Sequence, residues 1–483
     1  MSNETIATAS ETETSAQVTP LLVALAYGWT PPAFEIGPIR ELTYNGIDFS
    51  ELVQHLSIDG DRLTVVLGGA GFHNRMREIA PFPFDAQLAG TLANGSVLHG
   101  DMVLRAFRGA GLSFEMGEWT IVRGTAPRFW VGEVEGLRKL RFGGNLSVER
   151  VPVDDSLRLG RKCHFLLSGG HTYYLIQTLR EGAWHLVVET DDGIPNRQLL
   201  DRDFLLLQFV LGHELHVRSL TGLSADQEVV AAINGIGAKR SASPRPTPPV
   251  PIDRNNDSYV DASWAPVLFE KVIAAWRARP QVESAYLMAF SSYLDSMTLY
   301  VDADYLRLQV ALEAFAYWLL TFANGGERTV VKDKAAWKKW VKDNGSAIRA
   351  LASEGFEESL FNKVTNVYRL ASGRVVPSAF LDQGLTLSEE LASEVELRDV
   401  VVHQGAMSSP EAGEHDDLRR VAMVRTLLVA LIAKSVDYGG AINGWEIGSA
   451  GYPKEPDASW WIVREKDSQR ARCSFFAERA APR

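Results

Sequence analysis

The sequence predicts an α+β multidomain protein: a β-rich N-terminal domain followed by a C-terminal all-α helical bundle. Three observations carry that prediction. Period-two alternation of apolar residues runs through Leu21–Leu220, a proline-rich segment follows at Ala242–Pro251, and beyond it the period turns helical. The divisions expected are a disordered tail at 1–20, a β-rich sensor or regulatory domain at 21–235, and a proline-rich linker at 236–257. A helical bundle at 258–437 follows, then an extension at 438–483 that packs on the bundle.

The first 20 residues hold eight Ser or Thr, three Glu and no Lys or Arg. So polar a segment cannot offset its ordering entropy by burial, and it lacks the basic start and apolar middle of a secretory leader. Strands are expected over Arg62–Leu67, Val97–Phe107, Ser113–Val122, Arg128–Val134 and Lys162–Leu167. Asn94-Gly95 marks one tight hairpin, and Arg180–Ala183 joins His171–Leu179 to Trp184–Thr190 in another. Phe204–His216 is apolar enough to be a helix or a buried strand. Ala242–Pro251 carries five prolines, so it is short of backbone donors and serves as a spacer.

Helices are expected over Ala265–Ala278, Val282–Met297, Asp302–Asn324, Ala335–Lys342, Gly345–Ala352, Glu357–Leu370, Ser388–His403 and Leu418–Val436. Gly325-Gly326, Gly373 and Pro377 punctuate them. Asp302–Asn324 and Leu418–Val436 are apolar around much of their circumference, as suits central helices of a bundle. The last 46 residues have no clear period, and are expected to dock on the bundle or add a strand at its edge.

Composition bounds the function. The chain has 483 residues, 46% apolar and 23% charged, enough for two or three domains with cores of their own. A net charge of −11 argues against sequence-blind coating of nucleic acid, yet leaves room for a local basic site. Two cysteines, Cys163 and Cys473, make neither a disulfide framework nor a four-cysteine zinc site, which points to the cytoplasm. Val421–Val436 carries Arg425 and Lys434 and is too short to span a bilayer, so no membrane anchor is expected.

One segment carries chemistry: Glu396-Leu397-Arg398-Asp399-Val400-Val401-Val402-His403-Gln404-Gly405. On a helix Asp399 and His403 are i,i+4 partners, so the carboxylate can fix the imidazole's tautomer. Arg398 lies about 140° around the helix from His403, so the two can flank one cleft. This set suits metal-independent cleavage of a phosphodiester by the ribose 2′-OH, with His403 moving the proton and Arg398 holding the charged phosphoryl oxygens. DNA lacks that hydroxyl, so the chemistry selects RNA. One protomer offers one such His, and a symmetric homodimer joining the two motifs would supply both acid and base. Against this stands the plain reading of Arg398 and His403 as a helix-end pair favoured by the dipole.

Arg398-Asp399-Val400-Val401-Val402-His403 resembles the R-(N/D/H)-x3-H motif of HEPN-superfamily ribonucleases, helical bundles that dimerise to build a shared active site. Leu306–Phe315 resembles a core helix of the same domain. The β-rich half followed by such a bundle is similar to the ApeA-type HEPN proteins, implicated in bacterial defence against phage. The resemblance covers roughly Tyr259–Val436 and implies that Arg398 and His403 are the catalytic pair, with Asp399 where Asn is commoner. It implies an RNA substrate, a homodimer, a phage-derived trigger and no cofactor. The alternative is a non-enzymatic HEPN-like bundle that binds a nucleotide, RNA or protein.

Further residues are candidates. Glu313 shares a helical stripe with Leu306, Val310, Tyr317 and Leu320, should be half-buried, and could orient Arg398 or His403. Arg328–Arg374 holds ten basic and five acidic residues, a local charge of +5. Within it Trp337, Lys338, Lys339, Arg369 and Arg374 are the RNA-contact candidates, with Trp337-Lys338-Lys339-Trp340 offering aromatic faces to bases. His213-Glu214-Leu215-His216 has the wrong spacing for a helical zinc site, and Cys163-His164 reads as structural. Gly68-Gly69-Ala70-Gly71 lacks a phosphate-loop ending and reads as a turn.

Overall fold

The computed structural model describes residues 18–59, 62–69, 74, 87–108, 111–135, 164–168, 171–178, 183–191, 193–212, 215–237, 249, 264–296, 301–323, 333–366, 372–387, 395, 414–438, 442 and 476–478. Two compact units emerge. The first takes in residues up to Gln208, His213–Ser241 and Ile252–Pro266, and the second takes in Phe209–Gly212, Ala242–Pro251 and Val267 onward. The N-terminal half holds a large antiparallel sheet and the C-terminal half holds helices, an α+β arrangement.

The first unit opens with helix α1 (Val18–Ala26), which begins inside the segment expected to be a tail. Val18, Leu21, Leu22 and Leu25 are buried there, and that burial offsets the entropy of ordering the helix. The strands are β1 (Ile39–Tyr44), β2 (Ile47–Asp48), β3 (Val53–Asp59), β4 (Arg62–Leu67), β5 (Leu88–Leu92), β6 (Val97–Arg108), β7 (Gly111–Val122) and β8 (Phe129–Glu135). After them come β9 (His164–Ser168), β10 (Thr172–Gln177), β11 (Trp184–Glu189), helix α2 (Arg197–Leu211), β12 (His216–Leu223) and β13 (Val229–Ile236). These pair in the order β2-β1-β5-β6-β7-β13-β12-β8-β11-β10-β9, with β3 joined through β4 to β7.

Strand β7 is the branch. Its whole length pairs with β6, while Leu112–Met116 pairs with β4 and Thr120–Val122 pairs with β13. The expected β5–β6 hairpin forms at Asn94-Gly95, where Gly95 takes φ +82° and the Asn94 side chain accepts from the Ser96 amide at 3.0 Å.

Alternation places two layers on the sheet. Tyr174 and Ile176 share a core with α1, Phe129, Val131 and Val187. Their neighbour Tyr173 points the other way and donates to Asp203 of α2 at 2.8 Å. A second core gathers Tyr44, Phe49 and Phe114, whose Tyr44 and Phe114 rings stack with centroids 4.6 Å apart. The apolar run at Phe204–His216 resolves as the end of α2 followed by the start of β12.

The second unit is helical: α3 (Trp264–Ala278), α4 (Glu283–Asp295), α5 (Val301–Trp318), α6 (Lys334–Asp343), α7 (Gly345–Arg349), α8 (Glu357–Asn366), α9 (Ser372–Asp382) and α10 (Glu414–Ser435). Helix α5 packs against α10, α4 and α9. Tyr305, Leu308, Leu312 and Phe315 form its core face, and Val424, Leu428, Leu431 and Ile432 form that of α10. A π-type turn, Leu319–Ala323, finishes α5. Gly373 and Pro377 do not punctuate as expected but lie inside α9, a helix not expected from sequence, where burial of Val375, Val376, Ala379 and Phe380 outweighs one missing backbone donor. Beyond α9, β14 (Leu385–Leu387) pairs antiparallel with β15 (Phe476–Glu478). Among the described residues no helix is long and apolar enough to cross a membrane.

Candidate functional site

Arg398, Asp399 and His403 lie outside the described residues, as do Arg369, Cys163, Cys473, His213, Glu214, the tail up to residue 17 and nearly all of the linker. Of the expected helix Ser388–His403, Val395 is described: it is helical and 1% exposed. It stands three residues before Arg398.

Glu313 is on α5, half-buried and engaged with a partner. The stripe expected to surround it is only partly closed. Leu320 is buried, but Val310 and Tyr317 are exposed, because the core face of α5 is rotated towards Leu308, Leu312 and Phe315. Glu313 therefore sits at the border of that face, where a carboxylate keeps a polar partner without losing all its hydration.

The basic candidates are on two helices. Helix α6 is capped by Asp333, whose carboxylate accepts from the Ala336 amide at 2.8 Å. Lys338, Lys339 and Lys342 are exposed along it, and Arg374 is exposed in the first turn of α9. Trp337 and Trp340 stack, with centroids 5.2 Å apart and planes 19° from parallel. Trp337 is half-buried with its indole nitrogen closed off from solvent, whereas Trp340 is 51% exposed. Of the two aromatic faces expected from Trp337-Lys338-Lys339-Trp340, the open one is thus that of Trp340, not that of the contact candidate Trp337. Helical arithmetic could have found it: Val341 is buried at 2% and lies about 40° from Trp337 but 100° from Trp340.

A polar cluster inside the helical unit was missed altogether. Arg425 of α10 donates from Nη2 to the Ser296 carbonyl at 2.7 Å, and its guanidinium lies 5.9 Å from the Tyr293 ring. Burial pulls the Arg425 pKa down, and Tyr293 and Asp304 oppose that. Burial likewise drives the Tyr293 hydroxyl well above its ordinary value. Gln309 donates to the Tyr305 hydroxyl at 3.0 Å. Arg425 thus ties α10 to the C-terminal end of α4 and feels the charge of Asp304 on α5, while the Gln309–Tyr305 bond lies within α5. A single Arg within an apolar helical run was the available signal.

In the sheet unit, His216 is engaged through Nδ1 with the Gly237 carbonyl at 3.0 Å. Gly68 and Gly69 follow β4, and Gly69 takes φ +114° as the chain leaves the strand. Neither a family model, nor a curated protein, nor a solved structure matches the chain.

Proposed function

We propose that the protein is a metal-independent endoribonuclease of HEPN type, acting in the cytoplasm as a homodimer. The observation that carries the reading is the segment Arg398–His403 within a C-terminal half that is helical. His403 takes the 2′-OH proton while the partner's equivalent imidazole protonates the leaving 5′-oxygen. The 2′-oxygen attacks phosphorus, the bond to the 5′-oxygen breaks, and the products are a 2′,3′-cyclic phosphate and a 5′-OH. Arg398 holds the phosphoryl oxygens as charge develops on them, and Asp399 orients the imidazole. Glu313 is a positioning residue for Arg398 or His403. The N-terminal unit senses a phage-derived trigger, so that cleavage acts as an abortive-infection defence.

Induced expression tests this in a host. The enzyme should slow growth, at least when triggered, and His403→Ala should remove the effect. A growth phenotype that survives His403→Ala would instead favour an inactive HEPN-like module that binds nucleotide, RNA or protein.

A further inference from the structure

The geometry points to Trp340 as a stacking platform for an unpaired base of single-stranded RNA, with the exposed lysines of α6 receiving the flanking phosphates. The surface deepens the ribonuclease reading by naming the form of RNA that docks, and it rests on that reading for its biological use.

Trp340 is 51% exposed although an indole has a large apolar area to hide. Its inner face is already occupied by Trp337, stacked at 5.2 Å. The half-buried Trp337 holds Trp340 in one orientation, so a base that stacks on the outer side meets a surface that is ordered beforehand. Single strands offer such bases, whereas a duplex keeps its base faces closed.

Charge decides between RNA and an apolar protein partner. Lys338 and Lys342 form an i,i+4 row, and Lys339 lies between that row and Trp340 around the helix. A strand crossing the outer side of α6 would leave phosphates on the row, pass Lys339 and lay a base on Trp340. Exposed Asp343 lies one turn on, between Lys339 and Trp340 around the helix. Asp333, on Trp340's side two turns back, has its carboxylate engaged by the Ala336 amide; the strand therefore crosses before Asp343. The other exposed apolar residues nearby, Leu351 at 82% and Phe356 at 65%, bracket Glu354 and adjoin Glu357 and Glu358. Glu358 is paired with Arg349 at 2.7 Å, but Glu354 and Glu357 would repel a polyanion, which favours α6 over this stretch for the strand.

The test is fluorescence anisotropy on the full chain carrying His403→Ala, with labelled oligouridine of about ten nucleotides and a duplex of equal length. The single strand should bind more tightly than the duplex. Trp340→Ala should weaken it by about tenfold, and Trp340→Phe should restore most of the loss. Lys338→Glu with Lys339→Glu should lower the slope of log affinity against log salt by about 0.7 for each phosphate no longer neutralised. Unchanged binding by a folded Trp340→Ala chain would overturn the proposal, as would absence of any binding by the parent chain. If Trp340-dependent binding persists while the natural sequence cleaves no RNA, the surface stands and the ribonuclease reading fails. If RNA is cleaved but binding ignores Trp340, the surface alone fails.

Discussion

Arg425 reaches from the middle of α10 to Ser296, the residue that caps the C-terminal end of α4, and donates to its carbonyl oxygen at 2.7 Å. That carbonyl is at the negative end of α4, so a guanidinium there satisfies an orphan acceptor and complements the helix dipole. Arg425→Met keeps most of the volume and removes the charge-assisted bond. It should lower the stability of the helical unit by about 2 kcal/mol, read from denaturant unfolding followed by helical signal. Equal stability would mean that the bond is replaced by water at no cost.

Gly235 is fixed by a close approach. A Cβ there would stand 1.8 Å from the Val217 carbonyl oxygen and 2.4 Å from that of Arg218, both backbone atoms of the adjacent strand β12. Backbone cannot give way as a flexible side chain can. Gly235→Ala should cost about 3 kcal/mol or more and lower the melting temperature of the sheet unit. A variant with unchanged melting would show that β12 and β13 can separate locally without penalty.

His185 makes the sheet sensitive to acid. It is 3% exposed on β11, and burial depresses its pKa below 6.5, with Glu133 opposing. The unfolded chain therefore binds a proton at a higher pH than the folded one. The stability it governs is fully present above 6.5 and is lost as pH falls through and below that value. His185→Leu should flatten that loss, which denaturant midpoints measured on either side of the ordinary imidazole pKa would show. A parallel pH profile in the variant would contradict the assignment.

Asp333 tests the seating of α6. Asp333→Ala removes the acceptor for the Ala336 amide and should cost about 1 kcal/mol of local stability. Hydrogen exchange in the first turn of α6 should quicken, while an unchanged rate would assign the helix start to packing alone.

The helices were the most legible part of the sequence. Lys334–Asp343 extends one residue beyond the span read from periodicity at each end, and Trp264–Ala278 one residue at its start only. Arg62–Leu67 was read to the residue because Leu63, Val65 and Leu67 alternate with more exposed neighbours. Strand β13 was missed since Val230–Ile236 is buried on both faces and so shows no alternation. Strand β3 was missed for the opposite reason: Val-Gln-His-Leu-Ser-Ile-Asp has no fully buried position. Leu88–Leu92 hid behind two small residues, one of them Gly90, which lies close to the Glu41 carbonyl. At the candidate site, residue types pointed to α6 but not to which tryptophan is open, because that depends on the helix's inward direction. Apart from Arg425 itself the cluster was not legible, since its partners come from two other helices, α4 and α5, more than 100 residues earlier in the chain.

The ribonuclease itself is tested most directly by end-group analysis of RNA incubated with purified protein in excess EDTA, comparing wild type with folded Arg398→Ala and His403→Ala. Cleavage to 2′,3′-cyclic phosphate and 5′-OH ends is expected, falling by about two to three orders of magnitude in each variant. If infected-cell extract is needed to start cleavage, the same ends and the same variant losses should appear there. Cleavage that requires metal, or that both variants retain, would contradict the account.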